Sequence, residues 1–243
     1  MNGTKKILLL TLLIFSSNSF AQIKAGKIIF ERKTNIEKEY KDADDNEEFS
    51  DYLKKNKIKI DSFELIFNDT LSIFKPIISD EVDELDWATS NNIVLQNQAT
   101  HSQTLELSIW GQKLYIQDSI RPKQWKITES KRVIGNYECR KAIWQKNDST
   151  RIYAWYSTEV LANCGPEGFN GLPGTILGLA TEDGGVIYFA KSIQAFTPKM
   201  EEFNIDIKRK KTFTFQELQV KLNEEYGKEE WGKKAISRIF RWF

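Results

Sequence analysis

GPEGFNGLPGTILGL, residues 165–179, sets four of the chain's thirteen glycines and two of its five prolines within ten residues, then runs into an apolar segment. A phosphate-binding loop would need glycines feeding a helix, with a lysine close by. No GK[ST] follows, and TILGL, β-branched at its start, leads through a turn into VIYFAKSI and so continues as strand. A nucleophile elbow would need a serine between the glycines, and there is none. Geometry is left as the reason for the composition. Gly171 and Gly174 accept backbone conformations that a side chain forbids, while Pro173 fixes its own φ and holds Leu172 extended. Gly165, Pro166, Gly171, Pro173 and Gly174 therefore form a structural turn, a stiff corner that drives Phe169 and Leu172 inward and sends Ile176 along a strand. The corner is either purely structural or the lip of an open cavity.

On either side the text keeps the cadence of strands. GKIIFERKT, from Gly26, alternates apolar and polar residues as a half-buried strand does. IEKEYKDADDNEEFSDYLKKN carries eight acidic residues between Glu37 and Asp51, and reads as a solvated helix or a loop crossing the outside of the sheet. FELIFNDTLSIFKPII, NIVLQNQ, TLELSIW, QKLYIQDS and QWKITES follow, punctuated by Asn68-Asp69, Gly111 and Arg121-Pro122. KRVIGNYECRKAIWQ and TRIYAWYSTEV read as a hairpin pair joined at KNDS, and TILGLATEDGGVIYFAKSIQAF as another that turns at Asp183-Gly184-Gly185. Only segment 214–243 is helical in pattern. Thr214 and Glu217 have capping-box spacing; Phe215, Leu218, Leu222 and Tyr226 share one stripe, and Trp231, Ala235, Ile239 and Trp242 a second.

The N-terminus, MNGTKKILLLTLLIFSSNSFAQIK, has the order of a secretory signal: Lys5 and Lys6, an apolar run, then small residues ending at Ala21. Residues 1–21 are expected to be a signal peptide and 22–243 a single domain, exported to the periplasm or cell envelope and soluble after removal of the signal. The net charge of +1 becomes −1 once Lys5 and Lys6 leave, so no global field recruits nucleic acid. In an oxidising space the two cysteines, Cys139 and Cys164, could close a loop of about 25 residues, worth roughly 3 kcal/mol. The alternative is two buried thiols.

The opening stretch also resembles the GLPGLI family of exported bacterial envelope proteins, GLPGTI at residues 171–176 standing where the family has its motif. The likeness spans roughly residues 124–195. It runs through Trp125-Lys126-Ile127, Glu129-Ser130-Lys131, Ile134-Gly135, Cys139, Lys141-Ala142, Ala154-Trp155-Tyr156, Glu159, Gly165-Pro166 and Phe169. Thr175 departs from the motif's leucine, and Leu161-Ala162-Asn163-Cys164 from an approach that is often free of cysteine. The resemblance implies an envelope protein of unsettled function, often suspected of serving outer-membrane transport, and brings no catalytic residue.

Other chemistry finds little footing. The single histidine, His101, sits in a polar turn, and no HExxH, paired CxxC or GxSxG occurs. The acidic run SDEVDELDW offers Asp80, Asp83 and Asp86 as a weak oxygen-rich metal site, but it lacks the glycine and terminal glutamate of an EF-hand. No cofactor is implied. Trp144, Tyr153, Trp155 and Tyr156 could line a groove with Phe169, Leu172 and Ile176, or could be core and cross-strand packing. From Lys208 to Phe243 ten basic residues face five acidic ones, with aromatics among them, so this tail either docks on the sheet or contacts an anionic membrane peripherally.

The expected fold is therefore mainly β (α+β): a curved antiparallel sheet, an open half-barrel laid out like lipoprotein-carrier proteins, with C-terminal helices at its end or across its mouth. The helical segments look too polar to fill its concave face alone, which suggests a hollow. The expected function is non-enzymatic binding of an apolar ligand or a partner envelope-protein segment. The alternatives are a carboxylate-dependent hydrolase of an envelope polymer and an interaction module without a cavity.

Overall fold

Alternation in GKIIFERKT makes the central strand. The computed structural model describes residues 22–40, 47–81, 83–148 and 150–243, so the segment read as a signal peptide lies outside the described residues. Strand β1 (Gly26–Asn35) buries Ile28, Phe30, Arg32 and Thr34 on one face. It pairs antiparallel with β2 (Ile58–Phe67) on one side and with β11 (Val186–Ala195) on the other. Beyond β2 lie β3 (Leu71–Pro76), β4 (Ile93–Asn97), β5 (Ser102–Ile109) and β6 (Gln112–Ser119). Beyond β11 lie β10 (Thr175–Thr181), β9 (Thr150–Ser157), β8 (Tyr137–Asn147) and β7 (Trp125–Ile134).

With β12 (Thr212–Phe213), these strands form one 12-stranded sheet ordered β12-β6-β5-β4-β3-β2-β1-β11-β10-β9-β8-β7. Only the short β12–β6 pairing is parallel. The two ends of the sheet do not meet, which gives the curved, unclosed, mainly β architecture expected, with helices α3 (Phe215–Tyr226) and α4 (Glu230–Ile239) at the C-terminal end.

Three local expectations need correction. KRVIGNYECRKAIWQ is not one strand: Gly135, at φ 58°, makes a tight turn with Asn136, so β7 and β8 form a hairpin of their own, and β8 then pairs antiparallel with β9. The acidic segment is helical where described, as α1 (Ile36–Tyr40) and α2 (Glu47–Lys55), and is not wholly solvated. Ile36 and Leu53 are buried with Leu85 and Ala88. Finally, the second helical stripe is displaced. Trp231 is 48% exposed, while Ala235, Ile236, Phe240 and Trp242 are buried.

That displacement decides how the bowl is filled. Phe215, Leu218, Leu222, Ile236, Phe240 and Trp242 join one core with Phe30, Phe63, Leu65, Phe74, Leu105 and Tyr188 of the sheet. Each large apolar side chain so buried contributes about 1.5–3 kcal/mol, so two amphipathic helices suffice to cover most of the concave face, against the expectation that they were too polar. Phe240 and Trp242 are used in docking on the sheet, whereas Trp231 is not. On the convex face, segment 196–211 crosses the sheet and covers Ile66, Ile73 and Tyr115 with Phe203 and Ile205.

Candidate functional site

The glycine-rich corner works by close approach. Gly171 stands at φ 90° and Gly174 at φ 149°, and a Cβ on Gly174 would lie 2.1 Å from the Ser157 carbonyl oxygen. No side chain fits there. The corner buries Phe169 and Leu172 and delivers Ile176 into β10. Thr175, the departure from the family motif, is fully buried, its hydroxyl donating to the Ala162 carbonyl at 2.6 Å. A short 3₁₀ turn over Pro166–Gly168 precedes the corner and holds Glu167 at φ 54°, a left-handed conformation that costs a non-glycine residue of order 1 kcal/mol.

The seven residues expected to line a groove do not come together around a hollow. Tyr156, Phe169, Leu172 and Ile176 belong to the packed core, and Trp144 lies edge-on to Phe169 with ring centroids 5.5 Å apart. Tyr153 and Trp155 alternate with buried Ile152, Ala154 and Tyr156, so they occupy the opposite face of β9. There the Lys141 Nζ sits 3.7 Å from the Tyr153 ring centroid and the Arg132 guanidinium 5.0 Å from that of Trp155.

The two cysteines are free buried thiols in the structure, not a bridge. Each is engaged elsewhere, Cys139 Sγ with the Tyr137 carbonyl at 3.6 Å and Cys164 with Thr175. Burial pushes both thiols up to about 12. The acidic run makes no oxygen cage. Asp83 and Asp86 both bind the Lys59 ammonium, at 2.8 and 2.9 Å, while Asp80 is exposed. The hydrogen bond from that ammonium holds the Asp83 carboxyl below its ordinary range.

Chemically distinctive residues gather at the other end of the bowl. Along β1 and β2 the inward positions change from Phe30 and Phe63 to Arg32, Thr34, Lys59 and Asp61. The register sets Asp61, Arg32 and Tyr188 side by side on three adjacent strands. Arg32 donates from Nε and Nη2 to Asp61 Oδ2 at 3.1 and 2.7 Å, and from Nη1 to the Ser90 carbonyl at 2.7 Å. Burial alone would depress its pKa, but the facing Tyr188, Asp61 and Glu167 outweigh that and keep it protonated. The Tyr188 hydroxyl donates to Glu167 Oε1, while Glu167 Oε2 is buried with no hydrogen-bond partner among the described residues. Asn92 lies close enough to favour the charged carboxylate without bonding this oxygen, and burial prevails, raising the Glu167 pKa.

Beside this network a cavity of about 270 Å³ opens between β1, α1, the 3₁₀ turn at Asp86–Ala88, the end of β5 and α4. Thr34, Tyr40, Trp87, Trp110, Arg238 and Trp242 are among its walls. Trp87 and Trp110 are about half exposed, at 50% and 49%. Trp110 shares a two-residue turn with Gly111 at φ 48° and 75°, a conformation suited to Asn-Gly and strained for a tryptophan. Glu39 and Arg241 form a two-pronged ion pair, at 2.9 and 2.6 Å, that ties α1 to the segment after α4. Thr34 is 3% exposed and its hydroxyl has no hydrogen-bond partner among the described residues.

Apart from Trp242, which the sequence places on a helical stripe, none of these residues stands out from sequence. The inward phase of GKIIFERKT already contained Arg32 and Thr34, and Trp110-Gly111 already stood at a turn, so the signal was a charged or bulky residue at a position whose neighbours predict otherwise.

A family model described as "Protein of unknown function (Porph_ging)" matches residues 145–178, which include the GLPGTI corner, consistent with the GLPGLI resemblance. No curated protein matches the chain. Among solved structures, PNGF-II in its P21 and C2 crystal forms is similar in fold, with a TM-score of 0.53 in each case at 13% and 14% identity. The alignments cover 79% and 87% of this chain but 31% and 33% of PNGF-II, so the chain spans about a third of that protein's length. At such identity the likeness concerns the fold alone.

Proposed function

We propose, for a chain whose residues 145–178 carry the GLPGLI-family segment, the role of an exported, non-enzymatic binding or accessory protein of the cell envelope. Its ligand occupies the cavity beneath α4, at the charged end of the curved sheet. A service to outer-membrane transport fits that reading. The observation that carries it is the cavity itself: about 270 Å³ walled by indole rings and floored by a buried hydroxyl that no group among the described residues satisfies. Concave, largely preformed pockets with a few placed polar groups are the usual seats of small ligands, and a buried unpaired polar group costs stability unless something pairs with it.

Binding is favoured over hydrolysis by the state of the nearby acids. Glu39 is paired with Arg241 and Asp61 with Arg32 and Lys59, so neither stands ready as acid or base. The GLPGTI corner acts at a distance: it seats Phe169, which packs on Trp242, and Trp242 in turn forms a wall of the cavity.

Native mass spectrometry of protein purified from its own envelope tests this. The expected result is a co-purifying small molecule that is lost when Trp110 is replaced by alanine. Repeated recovery of unliganded mass would overturn the carrier reading.

A further inference from the structure

Resting on the reading that the cavity beneath α4 holds a ligand, we infer that this ligand is a carboxylate borne on an apolar or aromatic body, its anionic group held by Arg238 and Thr34. The inference follows from the charges that line the cavity. Arg32 is neutralised by Asp61, and Arg241 by Glu39. Arg238 is different. Its Nη1 donates to the Glu39 backbone carbonyl at 3.3 Å and its guanidinium lies 4.7 Å from the Tyr40 ring centroid, but no carboxylate among the described residues pairs with it. One guanidinium without a counter-ion among the described residues matches a single negative charge, and a planar carboxylate suits its fork of donors better than a point charge would.

The Thr34 hydroxyl is the second, independent mark. It lies in the cavity wall, nine-tenths and more buried, with no partner among the described residues. A hydroxyl can donate to a carboxylate oxygen, which gives the anion a neutral donor beside a charged one.

The body of the ligand is set by the rim. Trp87 is braced edge-on by Tyr40 at 5.1 Å, and Trp110 by Tyr226 at 4.5 Å and Trp231 at 6.0 Å. Two braced, half-exposed indoles offer rigid apolar area at little entropic cost. The strained backbone of Trp110 holds one of them in place, and strain of that kind concentrates where a site needs it. An apolar chain or an aryl ring fits between them; a highly charged ligand does not.

Tryptophan fluorescence titration of the full chain with octanoate, 3-phenylpropanoate, octanol and acetate tests the inference. One or both of the first two should shift the emission. Octanol should bind at least about tenfold more weakly, as loss of a charge-assisted contact requires, and acetate should have no measurable effect. The relative strength of octanoate and 3-phenylpropanoate distinguishes an aliphatic from an aromatic body. Arg238→Gln should reduce carboxylate affinity to that of octanol, and Arg238→Lys should restore part of it. Thr34→Val should weaken carboxylate binding several-fold while raising the melting temperature, because it removes an unsatisfied polar atom. Octanol binding as tightly as octanoate would overturn the carboxylate assignment and spare the cavity as a binding site. Failure of all four probes, with unliganded protein recovered from the envelope, would overturn both.

Discussion

The Tyr188 hydroxyl donates to Glu167 Oε1 at 2.5 Å inside the bowl, where both side chains are buried. Burial raises the Glu167 pKa above its ordinary value, opposed by Tyr188 and Arg32, and burial followed by the Glu167 charge raises that of Tyr188. A group whose pKa is higher folded than unfolded lends stability that is fully present below the unfolded value and is lost as pH rises through the folded one. Glu167→Gln keeps an acceptor for Tyr188 and has no proton to lose. The stability of the parent relative to this variant should therefore be greatest near pH 4 and decline as pH rises, by about 1.4 kcal/mol per unit of upward shift. Denaturant unfolding at a series of pH values measures it, and a difference that is flat or grows with pH would refute the assignment.

Gly174→Ala should be among the most damaging single-atom-scale changes in the chain. The added Cβ would meet the Ser157 carbonyl oxygen at 2.1 Å, and the neighbour is backbone that is held in the β9–β10 pairing. At φ 149° the new side chain is also strained. Together these predict a loss of about 3 kcal/mol or more. Gly184→Ala is the control, because its Cβ would meet only the tip of Ile187 at 4.0 Å, so its cost is that of positive φ alone. Equal stabilities of the two variants by thermal unfolding would show that the close approach is not what the corner provides.

The contrast between these two sites shows what the sequence made legible. Strand alternation and the Asp183-Gly184-Gly185 turn are local, and they are legible because short-range sterics decide them. The Gly135-Asn136 turn was equally local but lay inside a run of strand-forming residues on both sides, so it was absorbed into one long strand. The cavity depends on which side of a helix meets the sheet. Ile236 on α4 and Phe240 just after it are buried and Trp231 is not, a rotation decided by tertiary packing such as that of Trp242 on Phe169 and Tyr188. Aromatic clustering in TRIYAWYST points to the packed region, whereas the cavity draws on isolated tryptophans at 87 and 110 and on Arg32 and Thr34, hidden in the inward phase of β1.

Cys139 and Cys164 should be inert while the protein is folded. Both thiols are buried and pushed up to about 12 by that burial, so almost no reactive thiolate exists at pH 8. Alkylation with iodoacetamide in the absence of reductant should be slow in buffer and should reach both cysteines after unfolding in guanidinium. A protein that takes up no label when unfolded, and labels only after reduction, would carry the bridge that the structure lacks.

Glu39 and Arg241 fasten the lid side of the bowl. Their paired contacts join α1 to the segment following α4, and the two side chains are only 10% and 16% exposed. Removing the acid leaves a largely buried guanidinium without its partner, which is the costly way to break such a pair, at about 3 kcal/mol. Glu39→Ala should therefore destabilise more than the double change Glu39→Ala with Arg241→Leu, in which no charge is stranded and an apolar side chain can pack beside Trp242. The same loss should loosen α4, which forms one wall of the cavity, so hydrogen exchange across residues 230–239 should accelerate in Glu39→Ala and recover in the double variant. If the double variant is the less stable of the two, the pair contributes specific attraction beyond mutual neutralisation, and the stranded-charge account of this contact is wrong.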